Sequence, residues 1–257
     1  MSGWREWYPR EILAPWLVSR LALMLVAWMA MFLLHHNPPE GAWEIGACGN
    51  KETINRPVSL RNLAVNMWSR WDASWYHDVA AHGYRFSANE PSNTAFFPVY
   101  PMAMRAAHAV VSSHKDIWWF VCGIVVSNVA LLGCLTYLFL LVRMEFDTTT
   151  ARRAVLYLLI FPTTLFLSAV YSESAFLLTI VGSFYHARKR EWWWAGLLGA
   201  VATLSRPPGI MIIVGLLVEY LLQCEFQWRK LRWNALALSL PLLALGSFLT
   251  YLHFSAG

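Results

Sequence analysis

Residues 117–142 read IWWFVCGIVVSNVALLGCLTYLFLLV and contain no charged side chain. A bilayer core about 30 Å thick needs roughly 20 residues of helix to cross it, so this stretch predicts a membrane-spanning helix. Further apolar stretches lie at 13–34, 154–168, 174–187, 192–205, 208–223 and 232–253. The sequence therefore predicts an all-α polytopic membrane protein in which about seven helices span the bilayer wholly or in part.

The composition of the whole chain favours the same environment. Hydrophobic residues form 58% of the 257 positions and charged residues 14%, whereas soluble domains average roughly one half and roughly one quarter. We attribute the net charge of +5 to membrane topology and expect no nucleic-acid partner. The cysteines, Cys48, Cys122, Cys134 and Cys224, form no C-x-x-C pair and indicate neither a disulfide framework nor a metal site.

Basic residues follow the second, fourth and sixth apolar stretches, and such an excess marks the cytoplasmic side of a membrane protein. The clusters are Arg143 with Arg152–Arg153, Arg188–Arg190 and Arg229–Arg232. We therefore expect a cytoplasmic N-terminus and a single membrane domain, 1–257. It would comprise a first span at 13–34, an extracytoplasmic loop with interfacial amphipathic helices at 35–116, and a helical bundle at 117–253.

On this topology the short links at 171–174 and 205–209 emerge on the same outer side as the long loop. The helices next to these links are short for a full crossing. Short helices are tolerated when they tilt, thin the bilayer or end at a cavity inside the protein. The sequence therefore predicts a recessed cavity at the outer face.

The long loop contains RWDASWYHDVAAHGY at 70–84, which predicts an amphipathic helix from Trp68 that ends at Gly83. Helical spacing puts Asp72 within one aromatic stripe. The members of that stripe are Trp68, Trp71, Trp75 and Val79. A carboxylate in such surroundings needs a partner or a function, so Asp72 either pairs with an arginine or acts as a general base.

The two short links carry the other polar candidates. Glu173 begins a helix, where Ser172 can act as the cap and an acidic residue favours the helix dipole without any substrate. Arg206 precedes Pro207 at the start of the next helix, and a cation beside a helix N-terminus is suited to binding phosphate. Snorkelling of Arg206 to lipid headgroups is the alternative.

Several motifs occur in order between about residues 68 and 215. They are Arg70-Trp71-Asp72-Ala73, His82-Gly83-Tyr84, Ala95-Phe96-Phe97-Pro98, Ser168-Ala169-Val170-Tyr171-Ser172-Glu173-Ser174 and Ser205-Arg206-Pro207. Together they resemble the PIG-V family of mannosyltransferases. The family belongs to the GT-C class of integral-membrane glycosyltransferases, so the resemblance implies a GT-C-like helical bundle.

The resemblance also implies an activity: transfer of mannose from polyprenyl or dolichyl phosphate mannose to a hydroxyl of a glycolipid or glycan acceptor, at the extracytoplasmic or lumenal face and with inversion. No cofactor is implied beyond this lipid-linked donor. Asp72 would be the catalytic base and Arg206 would stabilise the leaving lipid phosphate. Glu173 and Tyr171 would hold sugar hydroxyls, and Arg70 is a second phosphate candidate.

The Arg206-Pro207-Pro208 variant is more similar to bacterial members, which favours a bacterial plasma membrane over an endoplasmic reticulum. The family usually extends beyond 257 residues, so C-terminal spans of the family are expected to be absent here. Two other functions fit the same pattern. One is a transporter or flippase for a lipid-linked sugar, and the other is a non-catalytic membrane scaffold.

Overall fold

The computed structural model describes residues 7–34, 65, 67–86, 92–111, 113 and 115–255, and within these ranges the regular secondary structure is helical. Among the described helices, three are long and apolar enough to cross a membrane: Pro9–Ala30, Ile117–Glu145 and Trp233–Ser255. A shorter apolar helix covers Pro207–Gln223. The prediction of an all-α polytopic membrane protein is confirmed.

Seven of the nine described α-helices overlap the predicted apolar stretches, and the other two lie in the predicted outer loop. In chain order they are α1 (Ala14–Leu34), α2 (Ala73–His82), α3 (Val99–Val111), α4 (Ile117–Glu145), α5 (Thr148–Ile160), α6 (Glu173–Arg188), α7 (Trp192–Thr203), α8 (Ile212–Gln223) and α9 (Leu240–Ser255). One predicted stretch, 154–168, divides in two. Phe161 is extended before Pro162, and a 3₁₀ segment, Pro162–Leu167, follows, because proline disfavours helical backbone in the preceding residue.

The helix α4 lies at the centre of the bundle and packs against α3, α5 and α6. From α6 the packing continues to α7 and from α7 to α9. Phe120, Leu131, Leu135 and Phe139 of α4 are buried, which gives this helix apolar contacts along most of its length. The core of the bundle thus fixes the ends of α6 and α7 relative to each other.

Ion pairs connect several helix termini at one end of the bundle, here called the basic end. Arg152 of α5 pairs with Glu11 at 2.6 Å, and Arg188 of α6 pairs with Glu145 at 2.6 Å and with Glu219 at 3.1 Å. The basic clusters of the sequence gather there. The opposite end, the link end, carries the starts of α4 and α6 and the link after α7. Which end faces the cytoplasm stays a prediction.

The helix around Asp72 differs from the sequence-based expectation. It begins at Ala73, so Trp68, Trp71 and Asp72 lie in a turn before it, and the predicted aromatic stripe that includes Asp72 is wrong. Trp71 has a left-handed φ of 49°, which interrupts a helix. In addition, the Trp68 carbonyl accepts a hydrogen bond from the Val170 amide at 2.9 Å and is not available to a helix.

Parts of the predicted outer loop lie outside the described residues, including most of 35–66 and with it Cys48. The described part contains α2, which ends at Gly83 as predicted, and α3. The division into a first span, an outer loop and a bundle remains a prediction.

Candidate functional site

Ser127 of α4 fixes the link that precedes α6. Its hydroxyl donates to the carbonyl of Ala169 at 2.6 Å, and the hydroxyl of Tyr100 from α3 lies 2.8 Å from the Ser127 oxygen. Both Ser127 and Tyr100 are fully buried, so these bonds form without competition from water. The link at 168–172 is therefore held against the bundle from two helices.

Tyr171 connects this link to the turn before α2. Its hydroxyl donates to the carbonyl of Arg70 at 3.0 Å and accepts the backbone amide of Asp72 at 3.2 Å. Burial is the main cause that raises the pKa of Tyr171 to about 12. The phenol therefore stays protonated at neutral pH and can donate to the carbonyl. Tyr171 thus positions Asp72 through the backbone amide, and the carboxylate of Asp72 takes no part in this contact.

A second contact joins α2 to the same link. The hydroxyls of Tyr76 and Ser172 lie 2.7 Å apart, and both side chains are buried. Ser172 occupies the N-cap position of α6 but makes no capping hydrogen bond with its side chain. The expectation that Ser172 caps α6 is wrong, because its hydroxyl is engaged with Tyr76.

Glu173 and Arg206 form an ion pair through Glu173 Oε1 and Arg206 Nη1. Burial by itself would lower the pKa of Arg206, but the hydrogen bond and the charge of Glu173 outweigh it, so the pKa is raised. The second carboxylate oxygen of Glu173, Oε2, is buried and has no hydrogen-bond partner among the described residues. Glu173 thus has a buried carboxylate oxygen without a described partner, beside the guanidinium of Arg206.

A tight turn after α7 carries Arg206. The Arg206 amide donates to the carbonyl of Ala202 at 3.3 Å, and the Gly209 amide donates to the carbonyl of Arg206 at 2.9 Å. A β-carbon on Gly209 would overlap the carbonyl of Ala202. This close approach requires glycine and fixes the position from which the Arg206 side chain reaches Glu173.

The Glu173–Arg206 pair lies in the wall of a cavity of about 470 Å³. Most of the described lining is apolar, and it includes Leu158, Phe161, Phe166, Phe176 and Leu177. Thr163 and Thr164 add hydroxyls from the Pro162–Leu167 segment. The cavity therefore combines hydrocarbon walls with one charged, hydrogen-bonding wall, as a ligand with an apolar tail and a phosphate would require.

Asp72 lies close to this pair. Its charge contributes to the pKa values of Tyr76, Tyr171 and Arg206. The Asp72 side chain is exposed, and its carboxylate makes no hydrogen bond or ion pair with a described residue. The structure therefore brings Asp72, Glu173, Tyr171 and Arg206 together at the link end.

The neighbouring acid, Asp78, differs from Asp72 in having its oxygens occupied. It accepts from Arg85 at 2.6 Å and from the Asn93 amide at 2.8 Å, and His82 lies 3.1 Å away. These contacts hold the segment after α2. Of the two acids on this part of the chain, only Asp72 has a carboxylate uncommitted among the described residues.

Arg70 is half-buried, and desolvation lowers the pKa of its side chain. Arg70 contacts the site through its backbone carbonyl, which accepts a hydrogen bond from the Tyr171 hydroxyl. The Arg70 side chain is not among the described lining of the cavity. Its assignment as a second phosphate ligand stays a prediction.

Arg20 of α1 reaches the wall of the cavity at Thr164. Its guanidinium donates to Ser168 Oγ at 2.6 Å, to Thr164 Oγ1 at 2.8 Å and to the Thr164 carbonyl at 3.2 Å. An ionisable residue inside a span is a functional candidate by default, and that signal was present in the sequence. Arg20 holds the segment that carries Thr164.

Comparisons with known proteins agree with the resemblance. GPI mannosyltransferase 2 of Cryptococcus neoformans is 35% identical over 151 residues, 55% of this chain and 34% of that protein. GPI alpha-1,6-mannosyltransferase 2 of Mus musculus is 30% identical over 157 residues, 56% of this chain and 29% of that protein. The chain thus spans about a third of the length of these curated relatives.

No solved structure matches the chain significantly. The family model for Mannosyltransferase (PIG-V) matches residues 16–253, which includes the turn at Asp72, both links and the lining of the cavity. On this match the chain belongs to the PIG-V mannosyltransferase family.

Proposed function

We propose that this chain transfers mannose from polyprenyl or dolichyl phosphate mannose to an acceptor hydroxyl, at the extracytoplasmic or lumenal face and with inversion at the anomeric carbon. The observation that carries this proposal is the cavity that joins apolar walls to the Glu173–Arg206 pair, beside the uncommitted carboxylate of Asp72. Membership of the family supports mannose as the sugar.

The cavity suits a lipid-linked donor. Its aromatic and aliphatic walls would take the first isoprenoid units, and the guanidinium of Arg206 would meet the phosphate. The open Oε2 of Glu173 would accept a hydrogen bond from a sugar hydroxyl, which would satisfy an otherwise unpartnered buried oxygen. Arg70 would add a second positive charge if its side chain turned towards the phosphate.

Asp72 would act as the general base. Its carboxylate takes the proton of the acceptor hydroxyl while that oxygen attacks the anomeric carbon. The bond between the anomeric carbon and the phosphate oxygen breaks, and the lipid phosphate leaves with the bonding electrons. Arg206 lowers the barrier because it stabilises the negative charge that develops on the phosphate.

The location of the site also belongs to the proposal. The basic end would face the cytoplasm, so the link end would face the periplasm or lumen, where a lipid-linked donor presents its sugar. The relatives are named for action on GPI. We accordingly propose a glycolipid or glycan as the acceptor, and a bacterial plasma membrane as the location on the strength of the Arg206-Pro207-Pro208 variant.

The test uses the purified full chain in lipid nanodiscs with radiolabelled polyprenyl phosphate mannose and a panel of glycolipid acceptors. We expect a mannosylated acceptor and an equal amount of polyprenyl phosphate, with no transfer from a nucleotide-linked mannose. NMR of the product should show the anomeric configuration opposite to that of the donor. Retained configuration would contradict a direct displacement.

The same preparation distinguishes transfer from transport. Vesicles that contain the chain and the labelled donor are treated with an external reagent that consumes exposed sugar. Accelerated access to the donor of the inner leaflet, without any mannosylated product, would overturn the transferase proposal in favour of a flippase. If the preparation shows no transfer and no accelerated access, the result favours the non-catalytic scaffold.

A further inference from the structure

A second cavity, of about 340 Å³, lies at the basic end of the bundle, opposite the candidate active site. Four basic residues line it: Arg190, Arg229, Lys230 and Arg232. The described lining includes no carboxylate and is completed by polar or aromatic groups such as Gln223 and Trp192. A bias of basic residues to one side of a membrane explains their presence at this end, but not their convergence on one cavity.

The carboxylates near this cavity are already engaged. Glu191 pairs with Lys189 at 2.7 Å, Glu219 with Arg188 at 3.1 Å, and Glu225 with Lys230 at 2.7 Å. By contrast, the guanidinium groups of the three arginines in the lining make no hydrogen bond or ion pair with described residues. An anion in the cavity would therefore meet donors that no internal carboxylate occupies.

Left-handed residues end the two helices beside this cavity. Positive φ angles occur at Arg190 (64°), Glu225 (53°) and Phe226 (54°). The Glu191 amide donates to the His186 carbonyl and the Phe226 amide donates to the Leu221 carbonyl, both at 2.9 Å, so these residues form helix C-caps. At Arg190 the capping residue itself contributes to the lining.

The cavity also offers a hydrogen-bond acceptor. Gln223 donates through Nε2 to the Ala187 carbonyl at 2.9 Å and to Glu219 at 2.6 Å, which fixes the orientation of its amide. Its Oε1 is buried and has no partner among the described residues. The arginines of the lining can bind a phosphate, and Gln223 Oε1 can accept a hydrogen bond from a hydroxyl. The cavity therefore fits a ligand that carries both a phosphate and hydroxyl groups.

Exposed tryptophans flank three of the basic residues of this cavity in the sequence. Trp228 and Trp233 precede and follow the basic residues in sequence and are 79% and 86% exposed. Tryptophan prefers the headgroup region of a bilayer, where its ring meets lipid and its N–H meets water. This position favours a lipid headgroup over a solute from bulk water as the ligand of the cavity.

We propose that this cavity binds the headgroup of an anionic phospholipid that carries free hydroxyls, of the phosphoglycerol or phosphoinositol type. The phosphate would lie between Arg190, Arg229 and Arg232, and a headgroup hydroxyl would donate to Gln223 Oε1. This site is separate from the sugar-transfer site and does not depend on the proposed activity.

The test measures lipid binding to the purified full chain by native mass spectrometry and by the shift of its thermal midpoint. The probes are phosphatidylglycerol, phosphatidylserine, which has the same net charge without the vicinal hydroxyls, phosphatidylcholine and soluble glycerol phosphate. We expect phosphatidylglycerol to bind at least tenfold more tightly than the other probes. Equal binding of phosphatidylserine or of glycerol phosphate would overturn the assignment to a hydroxylated lipid headgroup.

Two variants of equal charge change test the location. Arg229→Gln/Arg232→Gln should weaken phosphatidylglycerol binding at least tenfold, whereas Arg10→Gln/Arg153→Gln, elsewhere at the basic end, should change it less than twofold. Equal loss in both would show a general charge effect and contradict a defined site.

Because loss of basic residues can disturb membrane insertion, a third variant keeps the charge. Arg190→Lys/Arg229→Lys/Arg232→Lys retains every positive charge but lacks the planar fork that binds two phosphate oxygens. We expect at least a threefold loss of affinity. Unchanged affinity in this variant would likewise contradict the proposal.

Discussion

Glu173 and Arg206 form an ion pair that connects the start of α6 to the turn after α7. Glu173 lies at the end of the link before α6 and Arg206 lies in the link after α7, so their contact joins the two links into a single site. Glu173 uses only one oxygen for this pair, and the other lies buried beside the cavity. The pair therefore orients the arginine and leaves one carboxylate oxygen without a partner among the described residues.

Arg206 is expected to be essential for transfer. Arg206→Gln should lower kcat by about 10²–10³-fold, because removal of one group that stabilises charge in a transition state has this effect. Arg206→Lys should show an intermediate loss, since lysine keeps the charge without the bidentate geometry. Initial rates at saturating donor measure this effect. Arg153→Gln, an exposed arginine at the basic end, is the control, and an equal loss in it would contradict the role of Arg206.

Gly209 is expected to position Arg206 through the backbone. Gly209→Ala would push a β-carbon against the Ala202 carbonyl, so we expect a loss of about 1 to 3 kcal/mol in unfolding free energy and reduced donor affinity. The matched control is Gly246→Ala in α9, where a β-carbon meets no atom within 4 Å. Thermal midpoints and donor binding are measured for both. If Gly209→Ala behaves like the control, the turn does not depend on this close approach.

Tyr76 and Ser172 are expected to be energetically coupled. Their hydroxyls form one buried hydrogen bond, which typically contributes about 1 kcal/mol, so Tyr76→Phe and Ser172→Ala should each be destabilising. The double variant should lose less than the sum of the two single losses. Denaturant unfolding of all four proteins provides the cycle. Strict additivity would show that the two hydroxyls do not stabilise each other.

How much of the fold follows from the sequence can be judged at particular elements. The uncharged stretch at 117–142 predicted α4 to within a few residues, because its length and apolarity leave a membrane helix as the one economical structure. Gly83 ended α2 as predicted. The predicted start of that helix was wrong, because the Val170 amide donates a hydrogen bond to the Trp68 carbonyl. The spacing of residues along the chain carries no information on such a tertiary contact.

In the candidate site, too, some features were predicted from the sequence and some tertiary contacts were not. The sequence placed Asp72, Glu173 and Arg206 at one membrane face from topology alone, and the structure brings them together. It did not predict that Ser172 would bond to Tyr76 instead of capping α6, nor that Arg20 would bind Thr164 and Ser168. Both contacts join residues far apart in the chain, so only the packed bundle reveals them.

The ionisation of Tyr171 should lower the stability of the protein at high pH. Its pKa is about 12 in the folded chain against 10.0 for an unperturbed tyrosine, so the folded state holds the proton more tightly. The resulting stability is complete below pH 10 and is lost as the pH rises towards 12. Tyr171→Phe should therefore flatten the decline of the thermal midpoint between these values. Tyr157→Phe, at an exposed position, is the control, and an equal effect of both substitutions would contradict this account.

The central claim is that Asp72 supplies the base of a single site shared with Glu173 and Arg206. The most direct test compares mannose transfer by the wild type, Asp72→Asn and Asp116→Asn, since Asp116 is an exposed carboxylate at the same end, before α4. Removal of the base should lower kcat by about 10²–10⁴-fold with little change in donor binding, and the Asp116→Asn rate should stay within twofold of the wild type. Equal transfer by Asp72→Asn and the wild type would contradict the claim.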